Sequence, residues 1–364
     1  MELAYVLKVE SPLLVASTYT KTGPRPVMER IPGSSIAGAL ARVLAKEFNL
    51  SLSELHIRAA RGEFVIGDAY PIRVAEGGHL YPSMPAPAFC VKLKVRRVLK
   101  NLRIEGSVLC FVKGLTNLDP DKYAEAFKQY LDALNEYLIS EGIAYAGLVK
   151  PVISVPVVPL RTARLSDLDV LAMDEIDVVS ELGIEVRTSV AINPLARRAE
   201  EGMLFSYEAL SPGNMWWGIA EIPDELANKL CRNPLEICIG KGCSKGFGRA
   251  RIVFNVIELK EGDSRWFVLW SPLPASNKVM AFTPSDKGFT VLASWSQHRD
   301  KPRASVIALR PGVVVWVHGS VEKARARGLE PPWGQAERIH SRELLPPSLV
   351  ETRRILPQLT KDLR

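Results

Sequence analysis

A chain of 364 residues, 47% hydrophobic and 24% charged, carries enough apolar material for a large buried core and about two domains of length. A peptide hormone, a disulfide-knotted miniprotein and a disordered tail are excluded. Lys and Arg number 47 against 40 Asp and Glu, and this net charge of +7 favours a polyanionic partner.

The opening segment from Leu3 to Val15 reads as a strand buried on at least one face. Thr18 to Arg30 contains Lys21, Gly23, Pro24, Arg25 and Pro26 and reads as an irregular basic loop. Helix signals follow: Pro32-Gly33 as a break, Ser34 or Ser35 as N-cap, and Ile36, Leu40, Val43, Leu44 and Phe48 at helical spacing. Glu63 to Tyr70 is a short strand. From Val91 the alternation of Val91, Leu93 and Val95 with Lys92, Lys94 and Arg96 predicts a half-buried strand with a cationic outer face. A helix is predicted over Pro120 to Glu141, with Tyr123, Phe127, Tyr130, Leu131, Leu134 and Leu138 on its core stripe. Leu165 to Val186 holds seven acidic residues and no basic one, which reads as a solvated face, a mobile insertion or a dock for a basic partner. Gly202 to Ile222 gives two strands turning at Ser211-Pro212-Gly213, Asp224 to Leu230 a short helix, and Leu235 to Ile239 and Ala250 to Leu259 two further strands.

The order strand, helix, strand, insertion, strand, helix, strand is the βαββαβ plan of an α+β, ferredoxin-like (RRM-like) domain with large insertions. The expected division is a first unit over 1–260, with inserted material around 72–200, and a second, smaller strand-rich ferredoxin-like unit over 261–364. The latter ends in a charged, Pro-rich tail from Pro331 expected to be poorly ordered.

Two motifs carry chemistry. In Gly240-Lys241-Gly242-Cys243-Ser244-Lys245-Gly246-Phe247-Gly248-Arg249, four glycines allow backbone N–H groups to converge, and Lys241, Lys245 and Arg249 surround them with charge, which predicts a phosphate cradle. A nucleotide-binding P-loop is excluded because the loop enters a strand and not a helix. The second motif is Ile31 to Ala41, whose helix N-terminus would offer donors to a phosphate, with hydroxyls from Ser34 and Ser35 and close approach at Gly38.

An N-terminal strand, an Ile-Pro-Gly-Ser-Ser helix start and a distant Gly-x-Gly-x-Ser-x-Gly-Phe-Gly-Arg loop entering the last strand together resemble the RAMP superfamily of CRISPR-associated proteins. Arg187 to Ile192, Arg197 to Glu208, Trp217-Gly218, Gly67 to Pro71 and Ala308 to Val317 extend the likeness over most of residues 1 to 320. Within it the chain is most similar to the Csx-ten, Cas-five-like subunits of type III-D effector complexes. The resemblance implies a non-catalytic subunit that holds the 5′ repeat-derived tag of a guide RNA (crRNA), with the large signalling subunit and the backbone RAMP subunits as further partners. Lys21, Arg25, Arg187, Arg197, Arg198, Lys245 and Arg249 are then the expected phosphate contacts, with Lys241, Gly242, Ser244, Gly246 and Gly248 shaping the loop and Phe247 and Trp217 as candidates to stack on bases. All three cationic or helix-end features are expected on one face, with the acidic segment away from it.

Neither catalysis nor a metal or other cofactor is expected. Cleaving backbone members carry an aspartate before the first helix, where this chain has only Glu29. An endoribonuclease would have to use His56 with a loop cation such as Lys245. A plain protein–protein adaptor is the third alternative. The five cysteines, Cys90, Cys110, Cys231, Cys238 and Cys243, form no C-x2-C pair; their odd number reads as buried unpaired thiols in a reducing cytoplasm. No apolar run reaches the roughly 18 residues of a membrane span, and Glu2, Lys8 and Glu10 break the N-terminal apolar segment, so no leader and no membrane partner are expected.

Overall fold

The computed structural model of the protein describes residues 1–20, 23–26, 29–93, 106–111, 118–141, 149–165, 168–193, 198–259, 265–275, 279–283, 288–292, 295–296, 301–302, 305–317, 335–338, 345–361 and 363. In chain order the first elements are β1 (Glu2–Val9), β2 (Ala16–Thr20), β3 (Gly23–Pro26), α1 (Gly33–Glu47), α2 (Leu52–Ala60), β4 (Val65–Ile66), β5 (Tyr70–Val74) and β6 (Leu80–Pro82). The middle of the chain supplies β7 (Met84–Pro85), β8 (Cys90–Leu93), β9 (Val108–Phe111), α3 (Pro120–Ser140), β10 (Val149–Val152), β11 (Pro156–Leu165) and β12 (Leu168–Glu175). Then follow β13 (Ile184–Asn193), β14 (Arg198–Leu210), β15 (Met215–Glu221), α4 (Asp224–Leu230), β16 (Leu235–Cys238) and β17 (Arg249–Val256). The last part holds β18 (Trp266–Leu269), β19 (Leu273–Pro274), β20 (Val279–Phe282), β21 (Phe289–Leu292), β22 (Trp295–Ser296), β23 (Lys301–Pro302), β24 (Val306–Leu309), β25 (Val314–Val317), β26 (Ala336–Arg338) and α5 (Pro347–Lys361).

The first sheet runs β16-β17-β1-β15-β5-β6, with β4 also on β15, and β1 pairs antiparallel with both β15 and β17. Stripped of β16 and β6, this is the fourth-first-third-second strand order of the expected βαββαβ plan. Strand β1 is central because its residues are apolar on both faces. Leu3, Tyr5, Leu7 and Val9 join Ile36, Leu40 and Leu44 of α1 and Leu226 and Leu230 of α4 in one core. Ala4 and Val6 face the opposite core with Trp217, Val253 and the α5 residues Leu349, Leu356 and Leu359. Fully burying a leucine stabilises by roughly 1.5–3 kcal/mol, so the alternation along β1 ties both layers to one strand.

Helix α1 forms where its apolar spacing demands, but neither serine caps it: Pro32 holds the N-cap position and no N-cap side chain bonds the first turn. Helix α3 buries Tyr123, Phe127, Leu134 and Leu138, and Tyr130 and Leu131 pack beside them.

The described residues of the insertion up to β12 build a second layer. Strands β10-β8-β9-β12-β11-β7 form a six-stranded antiparallel sheet that shares a core with α3 and with the second face of the first sheet. The described acidic residues from Asp174 to Glu181 lie beside this layer and have partners in the protein. Arg73 bonds Asp174 at 2.7 Å and Glu181 at 2.8 Å, Lys92 pairs with Glu175, and Asp177 accepts from the N–H groups of Val179 and Ser180.

The last part of the chain does not stand apart. Trp266, Val268, Trp270 and Val314 enter the same core, the Tyr70 hydroxyl donates to the Trp270 carbonyl, and Trp266 Nε1–H donates to Leu118 O at 2.9 Å. The tail expected to be poorly ordered contains α5, which packs on β1, β6 and β17. Among the described residues no helix is long and apolar enough to cross a membrane.

Candidate nucleic-acid interface

Thr18 to Arg30 begins as an antiparallel ribbon, with Thr18 opposite Arg25 and Thr20 opposite Gly23, and not as the irregular loop predicted. Pro24 and Pro26 are accommodated because a two-stranded ribbon leaves alternate backbone positions without a ladder bond. Strand β3 lies against β14, which forms a second, longer ribbon with β13. Lys21 and Arg197 fall outside the described residues, as do the side chains of Arg25 and Arg198.

The glycine-rich loop joins β16 to β17 and is fixed to the start of the chain. Lys241 N–H donates to Leu14 O, Gly248 N–H to Pro12 O and Arg249 N–H to Ser11 Oγ, while Lys245, Gly246 and Phe247 donate to Gly242 and Cys243 carbonyls within the loop. These six N–H groups are therefore spent on protein acceptors, which corrects the picture of convergent backbone donors. The glycines serve shape instead: Gly246 has φ +83°, and at Gly248, with φ +75°, an added Cβ would sit 2.1 Å from Ile239 O. What the loop presents outward is side chains. Lys241, Ser244, Lys245 and Arg249 are all exposed.

Phe247 is 5% exposed and packs on Leu14, Ala209 and Tyr207. The Arg187 guanidinium lies 5.2 Å from its ring centroid. A cation over the ring face supplements the apolar packing. Phe247 thus anchors the loop to the β13–β14 ribbon and is not an open stacking platform. Trp217 is likewise buried, its Nε1–H donating to Ser83 O at 2.8 Å. Arg187 is brought to the loop as expected, but the acidic segment does not stay away: Glu185 lies 3.5 Å from Arg187 as an ion pair.

The α1 N-terminus is already occupied by an anion of the protein. Asp68 accepts from Gly33 N–H at 2.7 Å and from Arg30 Nη1 at 2.5 Å, and its own N–H donates to Gln335 Oε1 at 3.0 Å. Burial pushes the Asp68 carboxyl up, and Arg30 and the Gly33 N–H act against that shift. Glu29, next to Arg30 in the chain, is also raised by burial, with Arg310 and Arg30 opposing. Ser34 and Gly38 lie on the exposed side of α1 and Ser35 is half-buried. Sequence reasoning missed the role of Asp68, although an acidic residue inside the apolar run Glu63 to Tyr70 was a readable signal.

His56 is on the exposed side of α2, whose Arg58 bonds Glu225 at 2.6 Å, away from the ribbon–loop cluster. Among the described residues no group of His, Cys, Asp and Glu could hold a metal ion. Four cysteines are paired, Cys90 with Cys110 and Cys238 with Cys243, leaving Cys231 free; the expectation of unpaired thiols is overturned because β8–β9 pairing and the loop's turn bring distant sulfurs together.

A ferredoxin-like sheet with a glycine-rich loop entering its last strand defines the class, an RRM-like α+β protein. The family model of the RAMP superfamily matches residues 6–251, and the chain belongs to that superfamily. Among solved structures it is similar to a chain of the Type III-B Cmr-beta complex bound to cognate target RNA, at 13% identity over 86% of each chain with a TM-score of 0.45. It is also similar to a chain of the apo Type III-B Cmr-beta complex, at 14% identity over 70% of this chain and 96% of that one with a TM-score of 0.31. The third is Cmr4 (Cas7) of Pyrococcus furiosus, at 12% identity over 71% of this chain and 100% of that one with a TM-score of 0.25. No curated protein matches the sequence.

Proposed function

We propose that the chain is a non-catalytic RNA-binding subunit of a type III CRISPR effector complex. In this reading the 240–249 loop and the adjoining β13–β14 ribbon hold the 5′ repeat-derived tag of the guide RNA. The large signalling subunit and the backbone RAMP subunits are its neighbours, and the motifs favour a Csx-ten, Cas-five-like role in a type III-D complex. One observation carries the proposal: a loop whose backbone is locked by internal bonds and left-handed glycines presents Lys241, Ser244, Lys245 and Arg249 to solvent on a single short span. Fixed cations track phosphates independently of base sequence.

The test is Lys245→Ala/Arg249→Ala in an anisotropy titration of repeat-derived RNA over a salt series. Each lost phosphate contact on a single strand should flatten the slope of log affinity against log salt by about 0.7, so about 1.4 for two. Both side chains are exposed, so the melting temperature should hold. A double variant with the wild-type slope would remove the loop from the interface. Specific cleavage of that RNA, abolished by His56→Ala, would replace the proposal with the endoribonuclease.

A further inference from the structure

The two disulfides differ in where they sit and in what they restrain. Cys90 and Cys110 are directly opposed on β8 and β9, and both are 0% exposed. Cys238 ends β16, Cys243 opens the 3₁₀ turn of the glycine-rich loop, and Cys243 is exposed while Cys238 is half-buried. The ring they close contains Gly240 and Gly242, both in the left-handed region, and it carries Lys241. Glycine loses more backbone freedom on ordering than any other residue, so this half of the loop needs an external restraint most. Its other restraints are hydrogen bonds: Lys241 N–H to Leu14 O at 3.0 Å, Ile239 N–H to Gly248 O at 2.8 Å, and, from the loop's own second half, Lys245 and Phe247 N–H to Gly242 O at 2.8 and 3.1 Å and Gly246 N–H to Cys243 O at 3.3 Å. The disulfide is the covalent tie between Cys243 and the end of β16.

We infer that the Cys238–Cys243 disulfide is a redox latch on the RNA-gripping loop: closed, it holds Lys241, Ser244 and Lys245 in their binding arrangement, and a dithiol reductant opens it. The inference rests on the RNA-binding reading above. One thiolate of the dithiol attacks Cys243 Sγ, the sulfur on the exposed side, and Cys238 leaves as thiolate. The second thiol of the reductant, as thiolate, attacks the reductant's own sulfur in the mixed disulfide and releases the Cys243 thiolate. Two electrons pass to the protein, both cysteine thiolates take up protons, and the reductant ends as its disulfide. Cys90–Cys110 offers no exposed sulfur to the same attack. Once the latch is open, the apparent dissociation constant rises by the reciprocal of the fraction of loops still in the binding arrangement, so a loop closed between a third and a tenth of the time binds about three- to tenfold more weakly.

The experiment uses the full chain, oxidised with glutathione disulfide or reduced with dithiothreitol, alkylated and mapped by peptide mass spectrometry. Each form is titrated into a fluorescein-labelled single-stranded oligoribonucleotide, with melting recorded alongside. The expected result is that reduction exposes Cys238 and Cys243 to alkylation but not Cys90 and Cys110, and weakens binding about three- to tenfold. Cys243→Ser should bind like the reduced chain under both conditions. Alkylation of Cys238 and Cys243 in the oxidised chain, or equal affinity of both forms with the pair demonstrably reduced, overturns the latch and leaves the RNA-binding reading standing. Absence of RNA binding in both forms overturns that reading and the latch with it.

Discussion

Replacing Asp68 with Ala probes the buried anion at the α1 N-terminus. The carboxylate is 8% exposed and its partner Arg30 15%, so the substitution leaves a largely buried guanidinium without its hydrogen-bonded carboxylate and removes the acceptor of Gly33 N–H. Breaking a buried pair from one side costs about 3–5 kcal/mol, because the remaining charge keeps its desolvation penalty. The lost N-terminal acceptor, worth about 1 kcal/mol in an ordinary cap, belongs within that range and is not to be added in full. Asp68→Asn retains an oxygen for Gly33 and should cost less than the Ala variant. Arg30→Met/Asp68→Leu removes both charges and should recover most of the loss, since an apolar pair pays no desolvation. Urea denaturation with unchanged slope measures all four forms. An Ala variant within about 1 kcal/mol of wild type, or a double variant as unstable as the single, would refute the assignment of the pair as a mutually dependent buried unit.

Glu29 tests the sign of a pH dependence. Burial raises its carboxyl in the folded chain, so the stability it contributes is fully present below the ordinary glutamate value and is lost as pH rises through the raised folded value. Glu29→Gln should therefore flatten the fall of stability with rising pH in that window, which urea melts across mildly acidic pH would show. Two glycines of the loop should separate sterics from backbone conformation. Gly246→Ala meets nothing within 4 Å and bears only the left-handed cost of roughly 1–2 kcal/mol, whereas Gly248→Ala also drives a Cβ against Ile239 O at 2.1 Å and should lower the melting temperature further and weaken RNA binding.

The first sheet was legible because its signals are local. Apolar residues on both faces of Leu3 to Val9, helical spacing after Pro32-Gly33 and the turn at Ser211-Pro212-Gly213 each specify an element without reference to the rest of the chain. The β2–β3 ribbon was hidden by Pro24 and Pro26, which read as breakers until the ladder shows which N–H groups pairing does not need. Helix α5 was hidden by its charges and prolines, yet Leu349, Leu356 and Leu359 fall on one stripe that the β1 layer requires. The disulfides depend on strand register and loop path, which cysteine spacing alone does not encode. Asp68 was visible as a charge in an apolar run, but its partners Arg30 and Gln335 stand 38 and 267 residues away in the chain.

The same gap between local and distant information explains the loop's chemistry. Four glycines in nine residues suggested a nest of free N–H groups, since that is what such a sequence can form in isolation. The folded chain supplies Ser11, Pro12 and Leu14 as acceptors, so the N–H groups of Arg249, Gly248 and Lys241 are satisfied before any ligand arrives. In the proposed RNA-binding reading, phosphates would then meet the exposed lysine, arginine and serine side chains of the loop. Such contacts position a phosphate backbone and read no base edges. A grip of this kind should be strongly salt-dependent and nearly indifferent to the identity of the bases over the loop. On the same reading the Glu185 carboxylate, 3.5 Å from the Arg187 guanidinium, would have to be displaced or shared before a phosphate could use that cation. If the loop and ribbon hold RNA as proposed, the ribbon cation is the weaker contact, and the exposed Lys245 and Arg249 of the loop should carry most of the salt slope.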